Sequence, residues 1–223
     1  MKNILLMIVF STLAFSQTYN MQIQIGVQDG VKVSDYEKAM IQHNKAHATD
    51  LGAATTYQII NGPDAGDYIR MPKSIFTSAD MIDAVFNEWQ NHDPVPYDKF
   101  DGKMVEGRNG TVFYTLRPDL SYNPQVKTWK YLRQSKWNVR QGGQSSAESI
   151  FKLANEIRDE LGSDEHFVCM VSNTGQPFNE YLFVSGHDTL SEALDQSAFL
   201  KLLSEMSKSC LLYTSDAADD IRC

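Results

Sequence analysis

The order of the predicted secondary-structure elements occurs twice along this chain of 223 residues. Two helix start signals, at Ser34 and Ser145, lie about 110 residues apart, and two turn-rich segments, from Gly62 and from Gly175, have nearly the same spacing. A constant offset indicates an internal duplication in which each copy is one folding unit. The repetition lies in the order of elements rather than in residue identity.

Each copy is predicted to begin with a strand and a capped helix. Residues 19–28 (YNMQIQIGVQ) alternate apolar and polar side chains, which is typical of a strand with one buried and one polar face. The pattern Ser/Thr-x-x-Glu satisfies free N–H groups at a helix start and predicts helices from Ser34, Ser145 and Thr189, with a further apolar stripe from Ser78. Segments 61–66 and 173–179 predict two hairpins, and residues 111–117 predict a strand.

The two ends of the chain carry features that differ from the rest. Residues 4–15 form an apolar run shorter than the roughly 20 residues of a membrane-spanning helix, and Ala14 and Ser16 place small residues before a cleavage point. We therefore expect residues 1–16 to be a signal peptide and the protein to be exported, to a periplasm or outside the cell. Residues 210–219 (CLLYTSDAAD) resemble the in-frame translation of a transposon-type sequencing adapter. We expect 210–223 to derive from that DNA, so that the second copy lacks its last strand.

The charge balance and the cysteine content limit the expected partners and the expected sources of stability. The chain has 20 Lys and Arg against 28 Asp and Glu, a formal net charge of −8, which disfavours nucleic acid and anionic membrane as main partners. Cys169 is the only cysteine before residue 210, so we expect no internal disulfide and a fold that depends on its hydrophobic core. No segment of the mature chain predicts a membrane span.

A β-α-β-β-α-β unit is the ferredoxin-like split motif, and two such units in tandem resemble the dimeric α/β-barrel superfamily, which includes exported proteins of Bacteroidota type with no assigned activity. The resemblance implies an α+β fold in which two ferredoxin-like units pack their sheets around a cavity as an intrachain α/β barrel. Together with the two chain ends described above, the order of elements gives these expected boundaries: signal peptide 1–16, first unit 17–119, linker 120–127, second unit without its last strand 128–209, and adapter-derived residues 210–223. Relatives include haem-degrading and quinol-oxidising monooxygenases, chlorite dismutase-like haem proteins and plain ligand binders.

His43 and His47 form one candidate site. They lie one helical turn apart and could hold one face of a metal ion or approach a haem iron. Asn44 stands where the zinc-protease pattern requires Glu, which excludes that class. The alternative is a buried, hydrogen-bonded pair, because both histidines continue an apolar stripe. A third ligand would come from His92, Asp93 or His187.

The polar face of the first sheet forms a second candidate site. If the apolar positions of residues 19–27 face the helices, the polar positions face the interior of the barrel and line a hydrogen-bonding cavity. Neighbouring strands are expected to add further polar side chains to the same surface. The predicted ligand-binding residues are Gln22, Gln24, Gln58, Tyr68 and Arg70.

Residues 127–140 contain five cations and no acid, interspersed with aromatic side chains. Such a run can bind a polyanion, although a strand edge kept soluble by Lys and Arg is the commoner explanation.

Three functions remain open at this point, and no catalytic residue is assigned. The leading prediction is an exported protein that binds a small molecule or a partner in the cavity. The alternatives are a haem-dependent or cofactor-poor monooxygenase-like enzyme and a structural or assembly protein of the cell envelope. The leading prediction requires no cofactor, whereas the enzyme alternative admits haem or a metal.

Overall fold

The computed structural model describes residues 18–47, 53–73, 75–91, 105–125, 127–174 and 179–216. The expected signal peptide lies outside the described residues, as do residues 217–223 of the expected adapter-derived segment. The strands are β1 (Tyr19–Val27), β2 (Ala54–Gln58), β3 (Tyr68–Pro72), β4 (Val105–Leu116), β5 (Tyr131–Asn138), β6 (Val168–Thr174) and β7 (Glu180–His187). The helices are α1 (Val33–Ala46), α2 (Ala79–Asn91), α3 (Gln144–Glu160), α4 (Leu190–Leu194) and α5 (Ser197–Asp216), with a 3-10 turn at Pro118–Leu120.

These strands form one seven-stranded antiparallel sheet in the order β2-β3-β1-β4-β6-β7-β5. The α+β class is therefore confirmed, and the arrangement β2-β3-β1-β4 is that of a ferredoxin-like motif. The expectation of two separate sheets is wrong, because β4 and β6 pair directly, with Tyr114 opposite Ser172 and Leu116 opposite Met170. The hydrogen-bonded ladder thus continues from the first half of the chain into the second.

The sheet curls so that distant strands meet across its concave side. Gln134 on β5 places its Nε2 atom 4.0 Å from Met71 Sδ on β3, although four strands separate β3 from β5 in the sheet. The Tyr57 hydroxyl on β2 donates a hydrogen bond of 3.2 Å to the carbonyl oxygen of Trp129, just before β5. The right-handed twist of neighbouring strands accumulates over seven strands and favours this half-barrel shape.

The convex side of the sheet carries the helices. Met21, Ile23 and Ile25 of β1 pack in one cluster with Tyr36 and other side chains of α1 and α2. This confirms the expected two-residue alternation of β1, with its apolar positions facing the helices. Full burial of one such side chain stabilises the fold by about 1.5–3 kcal/mol, so β1 anchors the first half of the core.

The helix starts agree only in part with the capping patterns. Thr189 forms the predicted capping box with Glu192 at the start of α4. At α1 and α3 the N-cap residues are Lys32 and Gly143, neither with a side-chain cap, so the boxes expected from Ser34 and Ser145 do not form. At α3 the Glu of the pattern, Glu148, binds Arg117 instead.

The single helix expected after Thr189 is interrupted at Asp195. This residue has extended backbone angles (φ −69°, ψ 125°), and its carboxylate accepts a hydrogen bond of 2.9 Å from the backbone N–H of Ser197. An Asp that caps a new helix start competes with continuation of the previous helix, which explains the two elements α4 and α5. Among the described helices, none combines the length and the apolar character that crossing a bilayer requires.

Candidate binding face inside the curled sheet

The strand register defines which side chains line the concave side, called here the concave face. On β1 the helix-facing residues are the odd positions, so the even positions Asn20 and Gln22 point to the other side. Cross-strand partners share a face. By this rule the concave face includes Asn20, Gln22 and Gln24 of β1, Thr55 and Tyr57 of β2, Ile69 and Met71 of β3, Val112, Tyr114 and Leu116 of β4, Leu132, Gln134 and Lys136 of β5, Val168, Met170 and Ser172 of β6, and Glu180, Leu182 and Val184 of β7.

One part of the concave face is polar and buried. The Tyr114 hydroxyl donates a hydrogen bond of 3.0 Å to Glu180 Oε1, and the two side chains are 1% and 4% exposed. Burial raises the pKa of Tyr114 above its ordinary value, and the neighbouring Glu180 carboxylate raises that pKa further. The phenol is therefore held in its protonated form as a donor to Glu180.

Asn20 lies beside this pair on the same face, because it is the cross-strand partner of Tyr114. It is 9% exposed, and its side-chain oxygen Oδ1 is buried without a hydrogen bond from any described residue. Leaving a buried acceptor unsatisfied costs about 1–3 kcal/mol. The position thus presents an acceptor that an entering hydrogen-bond donor would satisfy.

The adjoining part of the concave face is apolar. Val112, Met170 and Leu182 form a buried cluster with Tyr114, and further aliphatic side chains pack against it. A ligand here would meet aliphatic carbon on one side and the Asn20, Tyr114 and Glu180 groups on the other, which is the usual composition of a small-molecule site.

Met71 links the two halves of the concave face. Its thioether sulfur lies 3.9 Å from Gln22 Nε2 and 4.0 Å from Gln134 Nε2, so both amides reach the same weak acceptor from opposite strands. Gln22 is buried, and its side-chain amide lies against this sulfur. A methionine adapts its shape readily, so this contact can rearrange around a ligand at low cost.

The structure divides the five predicted ligand-binding residues between the two faces. Gln22 and Gln24 lie on the concave face as expected, with Gln24 Nε2 donating a hydrogen bond of 3.0 Å to Asp67 Oδ2. Tyr68 and Arg70 do not, because they pair with Ile25 and Ile23 on the helix-facing side.

Gln58 shares that helix-facing side, since it is the partner of Tyr68. There the Tyr68 hydroxyl donates to Glu37 at 3.0 Å, and Arg70 Nη2 donates to Asn44 at 3.3 Å. The expectation that Gln58, Tyr68 and Arg70 share one surface with Gln22 is therefore wrong, for a reason of strand register. Tyr57 and Met71, one position along each strand, occupy the concave face instead.

His43 and His47 lie under α1 in the helix–sheet contact. They are 4% and 5% exposed, their ring centres are 4.8 Å apart, and Tyr36 and Met40 on the same helix face belong to the buried core. Within the described residues no group of three or more His, Cys, Asp or Glu could hold a metal ion. Both rings are buried, so a haem could approach them only if the packing between α1 and the sheet opened.

His187, named above as a possible third ligand, belongs to a different cluster. Its Nε2 lies 2.9 Å from Ser185 Oγ, and its ring is 6.0 Å from that of His166. His166 stacks on Trp129, with ring centres 4.8 Å apart and an interplanar angle of 17°. Burial lowers the pKa of His187, and the nearby positive charges of Arg133 and His166 lower it further. No local sequence pattern predicts this cluster, because its members come from three segments far apart in the chain.

Comparison with known proteins gives a fold but no family. No family model matches the chain, and no curated protein matches it. A solved protein from Fusobacterium nucleatum subsp. nucleatum, described as a "putative monooxygenase", is similar with a TM-score of 0.58 and 12% identity, covering 91% of this chain and 88% of that one. An anthrone oxidase-like protein is similar with a TM-score of 0.51 and 11% identity, covering 85% and 84%. This chain shares their fold. Identities this low carry no residue roles across.

Proposed function

We propose that this protein binds a small, largely apolar molecule with a hydrogen-bond donor on the concave face. The observation that carries the proposal is the buried Asn20 Oδ1, which has no described partner and lies beside the Tyr114–Glu180 pair. The apolar cluster around Met170 and Leu182 supplies the surface against which the body of the ligand would pack. Displacement of water from such a surface supplies most of the affinity, and the polar groups select orientation.

A planar polycyclic aromatic ketone that can enolise is the ligand class we favour. Its apolar rings would pack against the aliphatic cluster, and the hydroxyl of its enol form would donate a hydrogen bond to Asn20 Oδ1. The similarity to an anthrone oxidase-like protein supports this class at the level of the fold. Anthrone itself is therefore the first probe.

The test is calorimetric titration of the protein with anthrone. Asn20→Leu should weaken binding about tenfold or more, because it removes the acceptor, while leaving the melting temperature unchanged or higher, since an orphaned buried group is lost. Gln58→Leu is the matched control: the residue is exposed, lies on the helix-facing side and should leave affinity unchanged. Equal affinities in the wild type and Asn20→Leu would contradict the proposal.

A cofactor-poor monooxygenase-like reaction is the second candidate. The Tyr114–Glu180 pair favours it, because a buried carboxylate beside the bound enol could accept its proton. For anthrone the balanced reaction consumes one dioxygen and yields anthraquinone and water, with one oxygen atom entering the product. Glu180→Gln should abolish dioxygen uptake while retaining ligand binding. Binding without any dioxygen uptake in the wild type would leave the protein a binder and remove this candidate.

Export is part of the proposal and is tested separately. The apolar run and small residues of 1–16 support cleavage before Gln17 and a periplasmic or extracellular protein. N-terminal sequencing of the protein recovered from a secreting host should begin at Gln17. Recovery of intact Met1 in the cytoplasmic fraction would overturn this part without affecting the binding test.

A further inference from the structure

A small cavity lies between the end of α3 and the start of α5, among the helices of the convex side. Its volume is about 160 Å³. Its walls are Arg158, the loop residues 161–165, and Ala198, Lys201 and Leu202 of α5. One enclosed water requires about 10–15 Å³ of such space, so the cavity has room for a molecule of roughly ten non-hydrogen atoms. This is the size of a small metabolite.

Hydrogen bonds within the loop after α3 hold the cavity wall in place. Gly162 has a φ of 61°, the left-handed conformation that commonly ends a helix, and its N–H donates to the carbonyl oxygen of Asp159 at 3.0 Å. The N–H of Ser163 donates to the carbonyl oxygen of Arg158 at 3.0 Å. Ser163 Oγ in turn accepts a hydrogen bond of 3.2 Å from the N–H of Glu165. The cavity is therefore built into the fold, as small-molecule sites usually are.

A largely buried ion pair forms the polar wall of the cavity. Arg158 Nε donates to Glu165 Oε2 at 2.9 Å, and the two side chains are 11% and 14% exposed. Arg158 Nη1 donates to Asn155 Oδ1 at 3.1 Å. Arg158 Nη2 and Glu165 Oε1 form no hydrogen bond with any described residue. The pair thus offers a positively charged donor and a negatively charged acceptor side by side.

The rest of the lining adds one charge of each sign and an apolar surface. Lys201 and Asp164 are exposed at the cavity, and neither forms an ion pair within the described part of the chain. With the buried pair, the lining carries two cations and two acids, so a simple anion or cation would meet a like charge there. A molecule that carries both charges avoids this repulsion. Leu161, Ala198 and Leu202 supply the apolar part.

We propose that this cavity binds a free α-amino acid with a small aliphatic side chain. Such a molecule carries its carboxylate and its ammonium on one carbon, which suits the adjacent charges of Arg158 and Glu165. The carboxylate accepts hydrogen bonds from Arg158 Nη2 and Lys201, and the ammonium donates to Glu165 Oε1 and Asp164. The side chain packs against Leu161 and its apolar neighbours. This site is independent of the ligand proposed for the concave face.

The test is calorimetric titration of the full chain with L-leucine and with two analogues that each lack one charge. Isopentylamine lacks the carboxylate, and 4-methylpentanoate lacks the ammonium. L-leucine should bind saturably, and each analogue should bind about tenfold more weakly or worse, because a charged group of the cavity then loses its partner. Absence of saturable L-leucine binding, or equal affinity for all three compounds, would overturn the proposal.

Two substitutions locate the binding to this cavity. Lys201→Glu should weaken L-leucine binding about fivefold, whereas Lys38→Glu, the same charge change at an exposed position of α1, should leave it unchanged. Ala198→Phe should abolish binding by filling the cavity, and Ala147→Phe is its control at a half-buried position of α3 outside the cavity.

Melting curves establish which variants fold, and Lys201→Glu, at an exposed position, decides the matter if Ala198→Phe does not. Equal L-leucine affinity of the wild type and Lys201→Glu would overturn the assignment to this cavity. Anthrone binding should be the same in the wild type and Lys201→Glu, so failure of this site and failure of the concave face are distinguishable.

Discussion

At the scale of single residues, Gly186 has a role that only the structure reveals. A Cβ atom built at this position would lie 2.1 Å from Trp129 Cγ and Cδ1, so the indole ring occupies the space that any other residue would need. Gly186→Ala should lower the free energy of unfolding by about 1–3 kcal/mol, measured by urea denaturation. In a Trp129→Ala background, Gly186→Ala should reduce the free energy of unfolding by a smaller amount, because the indole ring no longer fills the space. An equal reduction in both backgrounds would contradict the steric explanation.

His187 makes a pH-dependent contribution to the stability of the fold, and its environment determines the sign of that contribution. Burial and the charges of Arg133 and His166 lower its pKa in the folded state, while Glu192 opposes them. Below about pH 6.5 the unfolded chain protonates His187 more readily than the folded protein does, so stability falls as pH falls through this range. His187→Gln should flatten the loss of unfolding free energy between about pH 7 and 5.5. Parallel pH profiles for the two proteins would show that His187 contributes nothing.

At the scale of elements, Arg117 at the end of β4 connects three of them. Its guanidinium donates to Glu148 of α3 at 2.5 and 2.9 Å, and Tyr181 of β7 donates to the same carboxylate at 2.7 Å. The hydrogen bond from Arg117 lowers the pKa of Glu148 in the folded protein. The ionised Glu148 therefore stabilises the fold at pH values above the ordinary pKa of a glutamate, and this stabilisation is lost as the pH falls through the lowered pKa. Glu148→Gln should cost about 1–3 kcal/mol of unfolding free energy at pH 7.

Asp119 is the matched control for that substitution. It also binds Arg117, at 2.9 Å, but its side chain is 45% exposed against 24% for Glu148. Solvent screens an exposed pair, so Asp119→Asn should cost less than Glu148→Gln. A larger cost for Asp119→Asn would contradict the assignment of Glu148 as the residue that fixes α3 to the sheet.

The strands also show which structural features can be predicted from the sequence and which cannot. The alternation in 19–27 predicted β1 and its two faces correctly, because a two-residue period is visible locally. The faces of β2 and β3 were not predictable, because they depend on which residues pair across the hairpin, such as Gln58 with Tyr68. A shift of one residue exchanges the two faces of a strand, and composition carries no record of register. For this reason Gln22 was placed correctly and Arg70 was not.

At the scale of the whole molecule, the direct pairing of β4 with β6 determines how the chain should unfold. The predicted units had their own sheets, and units of that kind can unfold separately. In the structure the ladder passes from Tyr114 to Ser172, and the concave cluster joins Val112 of β4 to Met170 of β6 and Leu182 of β7. One continuous sheet with a shared cluster favours a single cooperative transition.

The three tryptophans allow a direct test of this cooperativity. Trp89 lies on α2 in the first half, and Trp137 lies on β5 in the second. A variant that retains only Trp89 and one that retains only Trp137, with Phe at the other two positions, should each show one fluorescence transition in urea. In each variant the midpoint of the fluorescence transition should coincide with the midpoint measured by far-ultraviolet circular dichroism on the same protein. Because the two midpoints are compared within one variant, differences in overall stability between the variants do not affect the result. A Trp137 transition that precedes the loss of secondary structure would show that the β5 edge unfolds independently, and β4–β6 pairing would then not couple the two halves.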